Sequence, residues 1–180
     1  MKQYSIIPEC NYYFCTDTIW GWQSVLASEP FFQTMIDSLK YCRENNGLQI
    51  HGFVIMPNHV HTILSTEKKS LSSILRDYKR FTSNRISVLL RESNNKRLLN
   101  YFSTAEKEIT RGDECTIWQR GSRPSGLITK KFFQQKLNYI HLNPVRKGYV
   151  LAPEHWKYSS ARNYILNDQS ILEIDLIGGE

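Results

Sequence analysis

His59-Val60-His61 is the densest chemical signal in the chain. On a β-strand, side chains two residues apart point to the same face, so both imidazoles would stand together while Val60 enters the other side. Two imidazoles side by side can hold one divalent cation and leave positions open for a third ligand and a substrate oxygen. Val60, Thr62 and Leu64 would then line the opposite, core-facing side. Taken alone, the triplet reads more readily as two surface histidines at the start of a strand.

A second group lies well downstream. Tyr139 and Asn143 have the spacing that stacks two side chains on one face of a helix, a turn apart, with Lys136 in line with them. An amide oxygen beside a phenol can complete a hard-cation site, with the phenol aimed at a phosphate bound to that cation. A free phenol, with a pKa near 10, is a poor nucleophile at neutral pH. A polarised phosphate and surrounding hydrogen-bonding groups would lower that barrier. An aromatic at the edge of a core and an ordinary helix stop at Asn143-Pro144 account for the same residues, because spacing does not show that this helix faces the histidines.

The elements that must position these groups follow from pattern. Tyr12 to Ile19 is rich in aromatic and β-branched residues and predicts a first strand. Ser28 to Asn46 predicts a helix: Ser28 can cap, Pro30 suits the first turn, and Phe32, Met35, Ile36, Leu39 and Cys42 recur at helical spacing before Asn45-Asn46-Gly47 stops it. Leu48 to Met56 and His59 to Ser65 predict two strands joined by the tight turn Pro57-Asn58. Ser70 to about Leu90 predicts a long helix with Leu71, Ile74, Leu75, Tyr78, Phe81 and Ile86 on its apolar side.

Asn94 to Asp113 carries no clear period. Thr116 to Gln119 predicts a short strand, Gly121 to Gly126 a loop, and Thr129 to Leu142 a helix whose apolar stripe is Phe133, Leu137 and Ile140, ended by Asn143-Pro144. This order predicts an α+β fold, a ferredoxin-like antiparallel sheet with helices packed on one face.

A length of 180 residues suits one domain, with a core over about residues 10–150 and a tail, 151–180, packing back on it. Apolar residues at 41% and charged residues at 22% are ordinary for a globular protein. No apolar stretch is long enough to span a bilayer, and the N-terminus has no signal-like apolar core, so a cytoplasmic protein without membrane partners is expected. Cys10, Cys15, Cys42 and Cys115 have no paired spacing, which argues against a disulfide scaffold or a structural zinc.

Lysine and arginine number 23 against 17 acidic residues, a net charge of +6, which leaves nucleic acid open as a partner. The stretch from Lys68 to Arg97 is basic throughout, opposed only by Asp77 and Glu92. By itself it reads as a solvated helix face.

Met56-Pro57-Asn58-His59-Val60-His61 resembles the signature of HUH single-tyrosine transposases. Tyr139 to Gly148 (YIHLNPVRKG) resembles the tyrosine segment of their REP-associated branch, as do Ile117-Trp118-Gln119 and the tail segment Trp156 to Ala161. The resemblance runs from Gly52 to Tyr164, with the motifs in the expected order. It implies a ferredoxin-like fold, Mg²⁺ or Mn²⁺ bound by His59, His61 and Asn143, and Tyr139 as the nucleophile on single-stranded DNA. The products would be a 5′-phosphotyrosine link and a free 3′-hydroxyl, which can later rejoin without ATP.

On that reading the basic stretch becomes a phosphate-binding face, with Lys79, Arg80 and Arg85 foremost, joined by Arg76 and by Lys136 beside the tyrosine. The DNA would carry hairpin or repeat structure, and a homodimer is left open. Arg120 to Gly126 departs from the commoner family pattern, leaving the hairpin preference and subgroup open. Two other readings compete: an inactive single-stranded nucleic-acid-binding module of the same fold, and a metal-dependent phosphoesterase that uses water as its nucleophile.

Overall fold

The computed structural model describes residues 10–108, 117–121 and 124–176. In chain order these form β1 (Tyr13–Thr18), α1 (Glu29–Asn46), β2 (Leu48–Met56), β3 (His59–Thr66), α2 (Leu71–Glu92), α3 (Lys96–Glu108), β4 (Ser125–Gly126), α4 (Lys130–Arg146) and α5 (Ala161–Leu166). Short 3-10 turns occur at Trp20–Trp22 and Pro153–His155. The strands make one antiparallel sheet in the order β2-β3-β1-β4. β1 and β2, linked through α1, flank β3, which is the split arrangement of a ferredoxin-like α+β fold.

The expected placing of helices on one face is corrected by the core. Val60 and Leu64 of β3 share a cluster with Met35, Ile36 and Leu39 of α1 and with Ile74, Leu75 and Ile86 of α2. On the other face Ile63, Val54 and Met56 pack against Phe133, Leu137 and Ile140 of α4. The reason lies in β2 and β3, where nearly every residue is buried, so each face of the sheet needs its own cover.

A bulge sets the phase of β2. Ile50 pairs with Leu64 and Gly52 with Ile63, leaving His51 as the extra residue. Leu48 and Ile50 before the bulge, and Phe53 and Ile55 after it, therefore all reach the α1–α2 core. Gly52 lies under α4: a Cβ there would stand 2.8 Å from Leu137 Cδ1.

Local signals place the helix ends. Gly47, at φ 70°, closes α1 in the left-handed region. Thr129 Oγ1 accepts from the backbone N–H of Phe132 at 3.1 Å and caps α4. Contrary to expectation, α4 does not stop at Asn143-Pro144 but continues to Arg146. Proline forfeits only its own donor, and the Lys147 N–H to Asn143 carbonyl bond (3.1 Å) carries the last turn past it. Asn143 is thereby a helical residue one turn beyond Tyr139.

Two other expectations shift. The unassigned stretch after Asn94 contains α3, and the expected loop contains β4, whose Ser125 and Gly126 pair with Phe14 and Tyr13. Of Thr116 to Gln119, Trp118 makes a single bridge to Ile19; Thr116, like Cys115 and Asp113, lies outside the described residues. The C-terminal segment runs along the outer edge of β2, where Ile55 N–H donates to the Tyr158 carbonyl (2.9 Å), Ser160 N–H to that of Phe53 (2.9 Å) and Asp175 N–H to that of Ile50 (2.8 Å). That edge would otherwise offer unpaired backbone groups to another chain. No described helix is long and apolar enough to cross a membrane.

Candidate active site

His59 and His61 project from β3 toward α4, their ring centroids 4.7 Å apart. Both are buried, at 5% exposure, and each is held by its Nδ1. His59 Nδ1 donates to Asn58 Oδ1 at 2.7 Å. His61 Nδ1 lies 2.8 Å from Oγ1 of Thr16, the residue directly opposite it on β1. Anchoring a histidine through one ring nitrogen fixes its orientation and leaves the other to bind a ligand, as in metal sites. In His59 that other atom, Nε2, stands 3.5 Å from Nδ2 of Asn143.

Burial pushes the His59 imidazole down to about 4, with the nearby charge of Lys147 adding to the effect. Burial, then His59 and Lys136, push His61 down to about 3. Both rings are therefore neutral at physiological pH, the state in which imidazole ligates metal. Two neutral imidazole nitrogens and the Asn143 amide, turned to present its oxygen, fit a divalent cation that takes mixed nitrogen and oxygen ligands. Among the described residues no three His, Cys, Asp or Glu side chains cluster as metal ligands, so a third protein ligand here falls to Asn143.

Tyr139 completes the group. Its ring centroid is 5.2 Å from that of His61 and 6.1 Å from that of Phe14, and Phe14 in turn stacks on His61 at 5.3 Å. The tyrosine is 37% exposed, so its phenol is accessible from solvent. Lys136 Nζ lies 5.8 Å from its ring centroid and the Arg146 guanidinium 5.7 Å. Lys136 also lies 4.6 Å from the centre of the Phe14 ring. Two cations beside a phenol make a place for a phosphate.

Of the residues singled out in the sequence, His59, His61, Tyr139, Asn143 and Lys136 come together. The four on α2 do not join them, because α2 covers the opposite face of the sheet. Lys79 is mostly buried there and pairs with Asp17 at 2.5 Å. Arg76 and Arg80 lie outward, near Asp77 at 3.3 and 3.5 Å, and Arg85 is exposed. Sequence reasoning singled out neither Arg146, Thr16 nor Phe14 for the site. Arg146 was detectable, since Lys136, Tyr139, Asn143 and Arg146 follow one helical face. Thr16 and Phe14 depend on the β1–β3 register, which no local pattern encodes.

Comparison with known proteins shows what the chain is similar to. Residues 22–108 match the model of the family described as Transposase IS200 like, a span that holds the histidine pair. The fold is similar to that of a REP-associated tyrosine transposase solved bound to a REP hairpin, with a TM-score of 0.65, 18% identity, and coverage of 99% of this chain and 90% of that one. A looser likeness, with a TM-score of 0.40 and 16% identity, covers 78% of this chain and 95% of a candidate transposase from Deinococcus radiodurans R1. No curated protein matches the chain in sequence. The chain is thus similar to IS200-like transposases in sequence over that span, and to a REP-associated tyrosine transposase in fold.

Proposed function

We propose that this protein nicks single-stranded DNA and rejoins it through a 5′-phosphotyrosine link at Tyr139, with Mg²⁺ or Mn²⁺ held by His59, His61 and Asn143. One observation carries the reading: an exposed phenol, two buried neutral imidazoles and two flanking cations meet in one place. The similarity to IS200-like transposases supports the substrate class, and the REP hairpin on the structural relative supports a DNA partner with hairpin structure.

In the forward step the Tyr139 oxygen attacks phosphorus. The new bond forms as the bond to the 3′-oxygen breaks; the phenol gives up its proton and the departing oxygen takes one up. A DNA 3′-hydroxyl reverses the exchange, so the energy of the phosphodiester is kept and no nucleotide is consumed. A divalent cation held by His59, His61 and Asn143 would supply Lewis-acid polarisation of the phosphate oxygens. Lys136 and Arg146 hold the phosphate against the phenol. Arg76, Arg80 and Arg85, on the far face, serve DNA beyond the reacting phosphate through backbone contacts.

The test is a denaturing gel with labelled single-stranded oligonucleotides from the DNA flanking its gene, with Mn²⁺. A covalent protein–DNA band is expected, absent without metal and absent in His59→Ala. Cleavage that persists in Tyr139→Phe without such a band would move the reading to a water-using nuclease.

A further inference from the structure

At the end of the sheet where β3 begins, Gln23, the residue that follows the 3-10 turn Trp20–Trp22, and helix α3 line an open cleft that the chemistry above does not use. It has a volume of about 350 Å³ and is lined by Gln23, Arg97, Leu98, Asn100, Tyr101 and Thr104. That volume lies at the small end of ligand sites, roughly 300–1,000 Å³, and suits one nucleotide unit rather than a duplex.

The composition of the cleft narrows the ligand. Leu98 is buried and gives an apolar floor, while Tyr101 keeps 36% of its surface exposed. Arg97 and Asn100 are exposed on the same helix. Unpaired bases are held by stacking on aromatic rings or on guanidinium planes, and read by hydrogen bonds along their edges. Tyr101 and Arg97 offer the first kind of contact. The side-chain amides of Gln23 and Asn100, each with donor and acceptor, offer the second.

The backbone beside the cleft is held in an uncommon shape. Gly21 and Trp22 both have positive φ, 59° and 57°, and a Cβ on Gly21 would collide with the Tyr101 hydroxyl. A non-glycine residue in that region is a departure that usually has a local reason. Here it turns the Trp22 ring, 56% exposed, edge-on to His59 with centroids 5.7 Å apart. The same turn is tied to the histidine by hydrogen bonds. Asn58 Nδ2 donates to the Trp22 carbonyl at 3.4 Å, and Asn58 Oδ1 accepts from His59 Nδ1. The turn thus packs on the cleft residue Tyr101 at Gly21 and on the histidine at Trp22.

From this we infer that the cleft binds one unpaired base of the DNA strand near the reacting phosphate, with Tyr101 stacking on it and Gln23 and Asn100 reading its edge. This inference rests on the proposed single-stranded DNA substrate, and it assigns base selectivity to a surface separate from the phosphate-handling residues.

An abasic scan tests it. Single-stranded oligonucleotides from the DNA flanking the gene, each lacking one base in turn, are titrated by fluorescence anisotropy against Tyr139→Phe, which cannot cleave. The expected result is one position where base removal weakens binding roughly tenfold. That loss should vanish when Tyr101→Ala is added, and return with Tyr101→Phe, which keeps the ring. Asn100→Ala, at an exposed position, should flatten the preference for one base there while leaving the melting temperature unchanged. Penalties that are the same in all these variants at every position would overturn the inference. Adduct formation by the wild type is followed separately: failure to form an adduct while the coupling persists sinks the chemistry and leaves the cleft standing.

Discussion

Tyr139 of α4 and His61 of β3 lie with their rings 5.2 Å apart at 69°, although nearly half the chain separates them in sequence. This contact joins the two chemical groups. It depends on α4 packing on the sheet face from which the histidines project, through Phe133, Leu137 and Ile140. Changes that move α4 should therefore harm the chemistry more than they harm the fold.

Gly52→Ala is the direct probe of that packing. The added methyl would stand 2.8 Å from Leu137 Cδ1, and the Leu137 side chain or the helix must give way. A stability loss of about 1 kcal/mol is expected in urea denaturation, against a fall of roughly a hundredfold in the rate of adduct formation, since reacting groups tolerate little displacement. Leu137→Val in the same chain should recover part of the rate. Equal, small effects on both would show that α4 is not positioned through this contact.

Thr16→Val removes the Oγ1 partner that lies 2.8 Å from His61 Nδ1 and keeps the side-chain shape. A ligand whose outer hydrogen bond is lost commonly binds metal 10–100-fold more weakly. Isothermal titration with Mn²⁺ should show a loss in that range, with little change in melting temperature. Unchanged affinity would mean that His61 needs no such anchor.

The lysine on α2 should behave as a structural residue. Lys79 pairs with buried Asp17 at 2.5 Å, and removing one member of a buried pair typically costs about 3–5 kcal/mol; the partial exposure of Lys79 places it toward the lower end. Lys79→Ala should thus unfold at clearly lower urea, with the folded fraction still binding single-stranded DNA. Lys136→Ala and Arg146→Ala should do the reverse, keeping stability and weakening DNA binding and its salt dependence.

Acid should destabilise the metal-free protein. His51, His59, His61 and His141 are all held below the ordinary histidine value of 6.5, chiefly by burial, the last three to about 4, 3 and 4. The unfolded chain therefore binds more protons than the folded one as pH falls below about 6.5. Stability is whole above that pH and declines progressively toward pH 4 and below. Urea midpoints at pH 7.5 and 5.0 check this; a higher midpoint at pH 5.0 would contradict it.

Much of the site was legible because it follows from short-range geometry. Alternation placed His59 and His61 on one face with Val60 and Leu64 on the core side, and helical spacing aligned Tyr139 with Asn143. The rest depends on how elements meet. Nothing local says that α4 and α2 cover opposite faces, so the sequence does not show that the sheet lies between the α2 cations and the histidines. The Lys79–Asp17 pair is likewise a tertiary contact. The Asn143-Pro144 stop failed because proline in a last turn forfeits only one donor, and β4 is too short at Ser125–Gly126 to have a pattern of its own.

The central claim is that Tyr139 is the nucleophile, and peptide mapping of the protein–DNA adduct tests it most directly. After reaction with single-stranded DNA and Mn²⁺, followed by nuclease and trypsin digestion, the peptide Leu137–Arg146 should carry a nucleotide on Tyr139, and Tyr139→Phe should yield none. Cleaved DNA with this peptide unmodified, or a nucleotide on another tyrosine, would contradict it.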